Sequence, residues 1–391
     1  MGAHVVNGGP WRICFLLKHP APYLSPVLEG LAQEPGVALE VWYMFVGDDG
    51  HPQWRLRAGS IQAEFMRDSY RDGGAQLGRA MRFLRRLGGK QFDAAVICGY
   101  KDPISLLAWI VARLRGIPLI LGLDTVDVRR PGYKRLLRGA PLKCLYRNTA
   151  CFWVPGKASA DYLMGRGVGV DRIYQGMYSL DIDSLVKYAK RLEQERNELR
   201  SQLGVSGDLF WYLMVARLIR SRNVLALMRA LAHARALGAK IGLLVVGDGP
   251  ERGSAESYVA KRGMAEVKFF SQVDFVDLGR FYAAADAFVM PSSEPYSVAV
   301  VEAAIFAKPI IAANSVGASK DYVHDGRTGV VYDSESVEEL SSALMGMAGN
   351  PARARRMGEA ARVLAMRRGR EWAVSQLRAA VLRALPGQGG H

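Results

Sequence analysis

The sequence predicts an α/β protein made of two doubly wound, Rossmann-like domains facing each other across a cleft. Three observations carry that expectation. The chain has 391 residues, room for two to four domains at about 100–200 residues each. Short β-branched and aliphatic runs alternate with amphipathic stretches of helical length, the pattern of parallel sheets covered on both faces. A charged, helical stretch, Ser184–Gln202, separates one such series from a second. In sheets of this kind ligands bind outside the carboxyl ends of the strands.

In the first half, strands are expected at Trp11–Leu17, Val37–Phe45, Ala94–Cys98, Pro118–Leu123 and Cys151–Val154, with helices at Pro26–Ala32, Leu77–Leu87 and Ile104–Arg115. The second half repeats the plan with strands at Leu209–Val215, Ile241–Val246, Val267–Phe270, Ala287–Met290, Pro309–Ala312 and Val330–Tyr332. Near the end, Trp372, Val374, Leu377 and Val381 recur at helical spacing over Glu371–Leu385. The domains are placed at 1–183 and 203–368, with an interdomain segment 184–202 and a closing helical segment 369–391.

Composition excludes several classes. Half the residues are hydrophobic and 23% are charged, a globular balance rather than a disordered one. Cys14, Cys98, Cys144 and Cys151 form no C-x-x-C pair and read as reduced, mostly buried thiols of a cytosolic protein. The start, MGAHVVNGGPWRICFLLKHP, lacks the basic, apolar and small-residue succession of a signal peptide. Apolar stretches such as Ile104–Ala112 fall short of the roughly 20 residues that span a bilayer.

The formal charge of +15 is uneven. Up to Tyr178 there are 24 basic and 14 acidic residues; the remainder has 28 and 23. No acid lies between Asp127 and Asp161, a span holding Arg129, Arg130, Lys134, Arg135, Arg138, Lys143, Arg147 and Lys157. A second acid-free run carries Arg79, Arg82, Arg85, Arg86 and Lys90. Both interleave the charges with apolar residues at helical spacing. Basic helices near 79–90 and 129–147 therefore suit an anionic membrane surface or an anionic lipid-linked ligand, although a solvated helix face would look the same. Nucleic acid is not expected, because no zinc-finger spacing or RNA-binding aromatic signature accompanies the charge.

The motifs that carry chemistry lie in the second half. A strand runs into Ala216-Arg217-Leu218-Ile219-Arg220-Ser221-Arg222-Asn223 and then an apolar helix from Val224. Guanidinium forks beside a helix start suit a diphosphate, although a basic loop is often mere punctuation. Val246-Gly247-Asp248-Gly249-Pro250 ends a strand in a turn where backbone can pass close to a ligand. It lacks the full G-x-G-x-x-G of a dinucleotide site. Glu294 and Glu302 stand eight positions apart around a helix start near Ser297. The free N–H groups there can hold a phosphate, Glu302 can accept from ribose hydroxyls, and Glu294 can approach a sugar.

Val215-Ala216-Arg217-Leu218 with Arg222, Val246-Gly247-Asp248-Gly249-Pro250, Phe281-Tyr282-Ala283-Ala284-Ala285-Asp286, Pro291-Ser292, Glu294-x7-Glu302, Lys308-Pro309 and Asp325-Gly326-x-Thr328-Gly329 occur in that order. This succession resembles the retaining glycosyltransferases of family 4, of GT-B fold and bacterial surface-glycan type, closely over about 205–335 and loosely elsewhere. The resemblance implies transfer of a hexose from a nucleotide diphosphate sugar, on UDP or GDP, to a glycan acceptor on a lipid carrier in bacterial polysaccharide synthesis. The enzyme would be cytoplasmic, peripheral on the inner face of the membrane. A soluble natural-product acceptor and a non-catalytic nucleotide-sugar-binding partner subunit are the alternatives.

Under the resemblance, 203–368 binds the donor, 1–183 binds the acceptor, and the closing helix crosses back onto the first domain. Arg217 and Arg222 grip the diphosphate, with Arg222 standing where the family has Lys. Gly247 borders the donor, and backbone around Gln272 and Val273 contacts the base. Glu294 binds the transferred sugar, Ser297 and Val298 offer N–H groups to phosphate, and Glu302 binds ribose. Asn223 and Ser297 replace family glycines, implying a tighter or shifted phosphate loop. His19 and Tyr23, in Leu17-Lys18-His19-Pro20-Ala21-Pro22-Tyr23, fall on the acceptor side, where His19 also reads as a plain turn residue. Leu123-Asp124-Thr125-Val126-Asp127 lacks the family's mid-domain histidine, so Asp124 or Asp127 takes that place. No cofactor and no metal are expected. Asp181-x-Asp183 lies in the interdomain region, where a loop or a helix start is expected.

Overall fold

Two parallel sheets organise the chain. The computed structural model describes residues 10–45, 61–66, 77–89, 91–126, 141–205 and 207–385. Unit 1 falls within Met1–Pro155, Ser159–Leu180 and Arg370–His391, and unit 2 comprises Gly156–Ala158 and Asp181–Gly369.

The elements of the first part are β1 (Trp11–Leu17), α1 (Ser25–Ala32), β2 (Val37–Tyr43), β3 (Gln62–Phe65), α2 (Leu77–Gly88), β4 (Ala94–Cys98), α3 (Pro103–Arg115), β5 (Leu119–Gly122), α4 (141–147), β6 (Cys151–Trp153), α5 (Lys157–Met164) and β7 (Ile173–Tyr174). Then follow α6 (Ile182–Gln194), α7 (Arg196–Gln202), β8 (Phe210–Val215), α8 (Val224–Ala236), β9 (Ile241–Val246), α9 (Arg252–Lys261), β10 (Val267–Phe270), α10 (Phe275–Ala284), β11 (Ala287–Met290), α11 (Val298–Ile305) and β12 (Ile310–Ala313). The last are α12 (Ser319–Tyr322), β13 (Gly329–Tyr332), α13 (Val337–Ala348), α14 (Pro351–Met366) and α15 (Arg370–Ala384).

Sheet 1 has the order β3-β2-β1-β4-β5-β6-β7, reversing between β1 and β4. Its register is parallel throughout, with Ile13 opposite Leu39 on one side and Ala94 on the other. The central strands are apolar on both faces because helices cover both. On one face Phe15, Val41, Val96 and Ile120 pack with Val27 and Leu31 of α1 and with Val374, Leu377 and Val381 of α15. On the other, Leu16, Trp42 and Ile97 meet Phe83 and Leu87 of α2 and Ala108 and Ala112 of α3. Leu145 and Tyr146 of α4 continue that layer with Phe152 and Leu163.

Helices α1 and α15 approach closely at Gly30, where a Cβ would come within 2.3 Å of the Val374 side chain. Arg378 Nε pairs with Glu34 at 3.2 Å, and Arg370 donates to Gln33 at 3.0 Å. The two strands absent from the sequence reading, β3 and β7, are sheet-edge segments of four and two residues. Such runs are too short for alternation to mark them; pairing with Glu40–Tyr43 and with Phe152–Trp153 defines them.

Sheet 2 has the order β10-β9-β8-β11-β12-β13, reversing between β8 and β11. The stretch 184–202 is packed inside unit 2 as most of α6 together with α7. There Arg196 and Arg200 reach Asp286 at 2.5 and 3.3 Å, and Asp286 also accepts from the Trp211 N–H at 2.8 Å. Asp181 caps α6, its Oδ1 accepting from Ser184 N at 3.2 Å and its Oδ2 from the Ser184 hydroxyl at 2.8 Å. Asp181 is thus the cap and Asp183 lies in the first turn, so the Asp181-x-Asp183 pattern marks the helix start. All four cysteines are free; Cys14 and Cys151 are buried and Cys98 is half-buried, but Cys144 is exposed, because it lies on the outer side of α4.

Leu377 is fully buried between α1 and sheet 1. Leu377→Ala should destabilise unit 1 by about 2–5 kcal/mol. Native-state hydrogen exchange is expected to accelerate at β1 and β4 amides while β8 and β9 amides keep their protection.

Candidate active site

Where a doubly wound sheet reverses its strand order, a crevice opens outside the carboxyl ends of the strands. In sheet 2 the loops leaving β8, β9, β11 and β12 meet at this point. β8 is almost wholly buried, which fixes the exit direction of the basic loop that follows. Leu218 N donates to Asp248 O at 2.8 Å, and Glu251 N donates to Leu218 O at 2.8 Å. Gly247 and Gly249 have φ of +138° and +155°; a Cβ on them would fall 2.0 Å from Ala216 O and 2.4 Å from Leu218 O. Only glycine lets the two loops touch there.

The same basic loop is tied on its other side to the β11 loop. Ser293 N donates to Ser221 O at 2.8 Å, and Asn223 Nδ2 donates to Pro291 O at 3.0 Å. Asn223 is left-handed, with φ 52° and ψ 33°, a conformation that asparagine tolerates better than most residues. Ser297 has φ −145°, extended backbone open to any residue. Neither serine nor asparagine therefore strains the loop.

The pairing places Arg222 and Glu294 together, Nη1 to Oε2 at 2.7 Å, with side chains 23% and 12% exposed. Burial raises the Glu294 carboxyl above its ordinary range, against the opposing pull of Arg222 and the Ser292 and Ser297 hydroxyls. Ser297 is the N-cap of α11, yet its hydroxyl serves Glu294 and no side chain caps the helix. The first-turn N–H groups from Val298 onward thus stand beside a carboxylate–guanidinium pair. The main chain of Glu294 is fixed by the β12 turn: its N–H donates to Ser315 O at 3.2 Å and its carbonyl accepts from Gly317 N at 2.9 Å. Arg217 is exposed, and its side chain has no hydrogen bond or ion pair among the described residues.

Glu302 lies one turn into α11, 7% exposed, among Leu185, Tyr188, Leu278, Gly279 and Phe306. Its carboxylate accepts from the Tyr282 hydroxyl at 2.8 Å, and burial pushes its pKa up to about 7. Gln272 and half-buried Val273 follow β10. Asp248 accepts from Gln272 N at 3.0 Å and from Arg252 at 2.6 Å, which together hold its carboxyl below the usual range. Lys308 is 8% exposed and donates to Ala285 O at 2.9 Å and Ala283 O at 3.4 Å, capping the end of α10. Burial lowers its pKa to about 7.

In unit 1 the reversal lies between β1 and β4. Asp124, exposed beyond β5, accepts from the Tyr178 hydroxyl at 2.9 Å. Tyr178 packs edge-on against Tyr23 with ring centroids 4.6 Å apart, and Ser179 N donates to Tyr23 O at 2.9 Å. His19 is half-buried in the turn after β1, its Nδ1 3.3 Å from Pro20 O. Asp127 lies outside the described residues, as do Lys90 and positions 129–138 of the basic run between Asp127 and Asp161.

Sequence reasoning gave no role to Tyr282, Tyr178 or Ser292. Tyr282 stood in a quoted motif, but nothing in its spacing announces Glu302, twenty positions on. Tyr178 reaches Asp124 from fifty-four positions away, and only strand order brings them together.

A carboxyl whose folded pKa lies above its unfolded value stabilises below the unfolded pKa and loses that contribution as pH rises. For Glu302 the window runs from 4.5 to about 7, and the loss is about 3 kcal/mol. Glu302→Gln should therefore flatten the fall in unfolding free energy across this window in urea titrations at several pH values. An unchanged slope would show that Glu302 ionises normally. Lys308, lowered from 10.5 to about 7, penalises the folded state fully below about 7, and stability recovers as pH rises from about 7 to 10.5. Lys308→Met should remove the recovery.

The model of the glycosyl transferases group 1 family matches residues 195–364. A GDP-mannose-dependent alpha-(1-6)-phosphatidylinositol monomannoside mannosyltransferase from Mycolicibacterium smegmatis is 30% identical over 310 residues, covering 74% of each chain. Among solved structures, HepE from Anabaena in complex with UDP superposes with a TM-score of 0.70 at 19% identity, covering 94% of this chain and 98% of that one. WaaG, a glycosyltransferase involved in lipopolysaccharide biosynthesis, gives 0.65 at 19% identity, covering 96% and 100%. Both share the two parallel, helix-flanked sheets. With loops from two strand ends meeting at Arg222 and Glu294, and with this likeness along most of its length, the chain belongs to the group 1 glycosyl transferases, as a family 4 type glycosyltransferase of GT-B fold.

Proposed function

We propose that the protein transfers a hexose, with retention of configuration, from a UDP or GDP sugar to a lipid-linked glycan acceptor in bacterial polysaccharide synthesis. The observation that carries the reading is the convergence of Arg222, Glu294 and the uncapped start of α11 at the reversal of sheet 2. A diphosphate needs concentrated positive potential in fixed geometry, which guanidinium forks and helix N–H groups supply. The relative's named acceptor, a phosphatidylinositol monomannoside, supports a lipid-borne acceptor. The UDP of the HepE complexes supports a nucleotide donor.

In this reading Arg217, free to turn toward the ligand, and Arg222 hold the diphosphate, with Ser297 and Val298 N–H groups on the same phosphates. Glu294 orients the sugar, Glu302 faces ribose, Gly247 leaves room for the donor and Val273 borders the base. The Glu302 carboxyl accepts hydrogen bonds, which suits ribose hydroxyls. The departing diphosphate oxygen takes the acceptor's proton on the face it leaves, so the bond to the acceptor forms as the bond to phosphate breaks. The protein's contribution is positioning and charge stabilisation. No metal or cofactor is invoked. Asp124, braced by Tyr178, keeps the catalytic assignment in place of the family histidine, and His19, Tyr23 and Asp127 are assigned to the acceptor side. Among the described residues no helix is long and apolar enough to cross a membrane. The enzyme is placed as a peripheral protein on the inner face of the cytoplasmic membrane, drawn there by the basic segments near 79–90 and 129–147.

A thermal-shift screen of UDP, GDP and their sugars should give one nucleotide that stabilises the fold by roughly 2.7 kcal/mol at about 100 times its dissociation constant. Arg217→Ala should reduce that shift at equal ligand. Glu294→Gln should abolish turnover while the nucleotide still shifts the midpoint. If no nucleotide stabilises the wild type, or both variants turn over normally, the donor reading is wrong.

A further inference from the structure

The outward side of α3 is apolar. Leu106, Leu107, Ile110 and Leu114 are 45%, 47%, 39% and 80% exposed, and their spacing of one, three and four residues lines them into one stripe. Ser105, Ala108 and Ala112 take the opposite side, packed toward sheet 1. A helix covering a sheet ordinarily puts polar residues where these leucines stand.

The flanks of the stripe are basic. On one side α2 packs against α3, with Gly88 opposite Val111 and Arg115. Met81 and Arg85 are exposed on α2, while Arg82 leans to Glu64 of β3 at 3.9 Å and Arg86 turns inward to buried Glu40. On the other side Arg113 Nε donates to Asn148 Oδ1 at 3.2 Å, which brings α4 and its exposed Lys143 and Arg147 alongside. Residues 77–88, 103–115 and 141–147 contain no Asp or Glu. The described parts of the two basic segments, 79–89 and 141–147, thus border one apolar ridge.

We infer that the α2–α3–α4 face of unit 1 is a docking surface for an anionic lipid bilayer, with the Leu106, Leu107, Ile110 and Leu114 side chains entering the boundary between headgroups and acyl chains. Exposed leucines rimmed by cations fit that medium. The ridge leaves water, and the Arg and Lys stems reach back to the phosphates. A second copy fits poorly, because face-to-face pairing would set two predominantly basic rims against each other. Duplex nucleic acid would meet the charge but leave the leucines without a partner. The inference deepens the membrane part of the proposed function, yet it does not depend on the donor site.

Cosedimentation with vesicles tests it, using phosphatidylcholine alone and phosphatidylcholine with about 30 mol % phosphatidylglycerol. The full chain should bind the anionic vesicles at low salt and leave the neutral ones. The double variant Leu107→Ser, Leu114→Ser should bind at least about tenfold more weakly. Arg85→Glu and Lys143→Glu should each weaken binding by about fivefold. All variants should retain the nucleotide-induced thermal shift of the wild type, which reports an intact fold. Equal binding to both vesicle types, leucine variants that bind like the wild type, or no vesicle binding with a leucine-dependent dimer in its place would each overturn the inference. Vesicle binding without any nucleotide shift would support this surface and sink the donor reading; the reverse pattern would do the opposite.

Discussion

A guanidinium and a carboxylate, Arg222 and Glu294, meet at 2.7 Å where the order of sheet 2 reverses, and both are largely withdrawn from water. Charges so placed are costly unless their geometry and remaining hydrogen bonds are satisfied, and losing one partner strands the other. The surrounding structure meets that condition. Ser292 and Ser297 hydroxyls complete the carboxylate, Ser315 and Gly317 fix its main chain, and Asn223 locks the basic loop to Pro291. Gly317 has to be glycine, since a Cβ there would lie 1.7 Å from Pro295 O. The site is a set of backbone contacts with two charges at its centre.

The same logic recurs across unit 2, where charged groups are buried against main-chain or hydroxyl partners. Asp321, 1% exposed, accepts from Lys157 N at 3.1 Å and meets Arg368 at 2.5 Å. Arg362 is buried as well, donating from Nε to Ile305 O at 2.9 Å and pairing with Glu193. Lys308, Arg362 and the Arg196–Asp286 pair all work near the ends of α10 and α11. They fix the helix whose first turn faces the candidate phosphate position. Burying charge in this way favours one arrangement of helices over its neighbours, since a small slip would leave each group unsatisfied.

The basic excess divides by structural role. Arg86 neutralises Glu40 under α2, and Arg172 donates to Ala150 O at 3.1 Å and Tyr146 O at 2.8 Å, so these charges serve the fold. Arg82, at 3.9 Å from Glu64 and 71% exposed, forms a pair that water and salt screen heavily. Such an outward cation adds little to the stability of the fold.

The sequence by itself determined the layered α/β plan, since strand and helix periodicities are local and apolar central strands announce helices on both faces. The bounds of β1, β4, β9, β10 and β11 follow from those runs alone. Motif order also assigned Arg217, Arg222, Glu294 and Glu302 to strand ends and a helix start. Edge strands β3 and β7 were illegible, because their signal is the neighbour they pair with. Only the tertiary structure decided that Arg222 meets Glu294, that Glu302 meets Tyr282 and that Asp124 meets Tyr178. Each pair joins segments whose separation is erased by strand order, which no local pattern encodes. The leucine stripe of α3 belongs to the same class. Its periodicity shows a helix, but which side faces sheet 1 and which faces outward is settled by what packs on it.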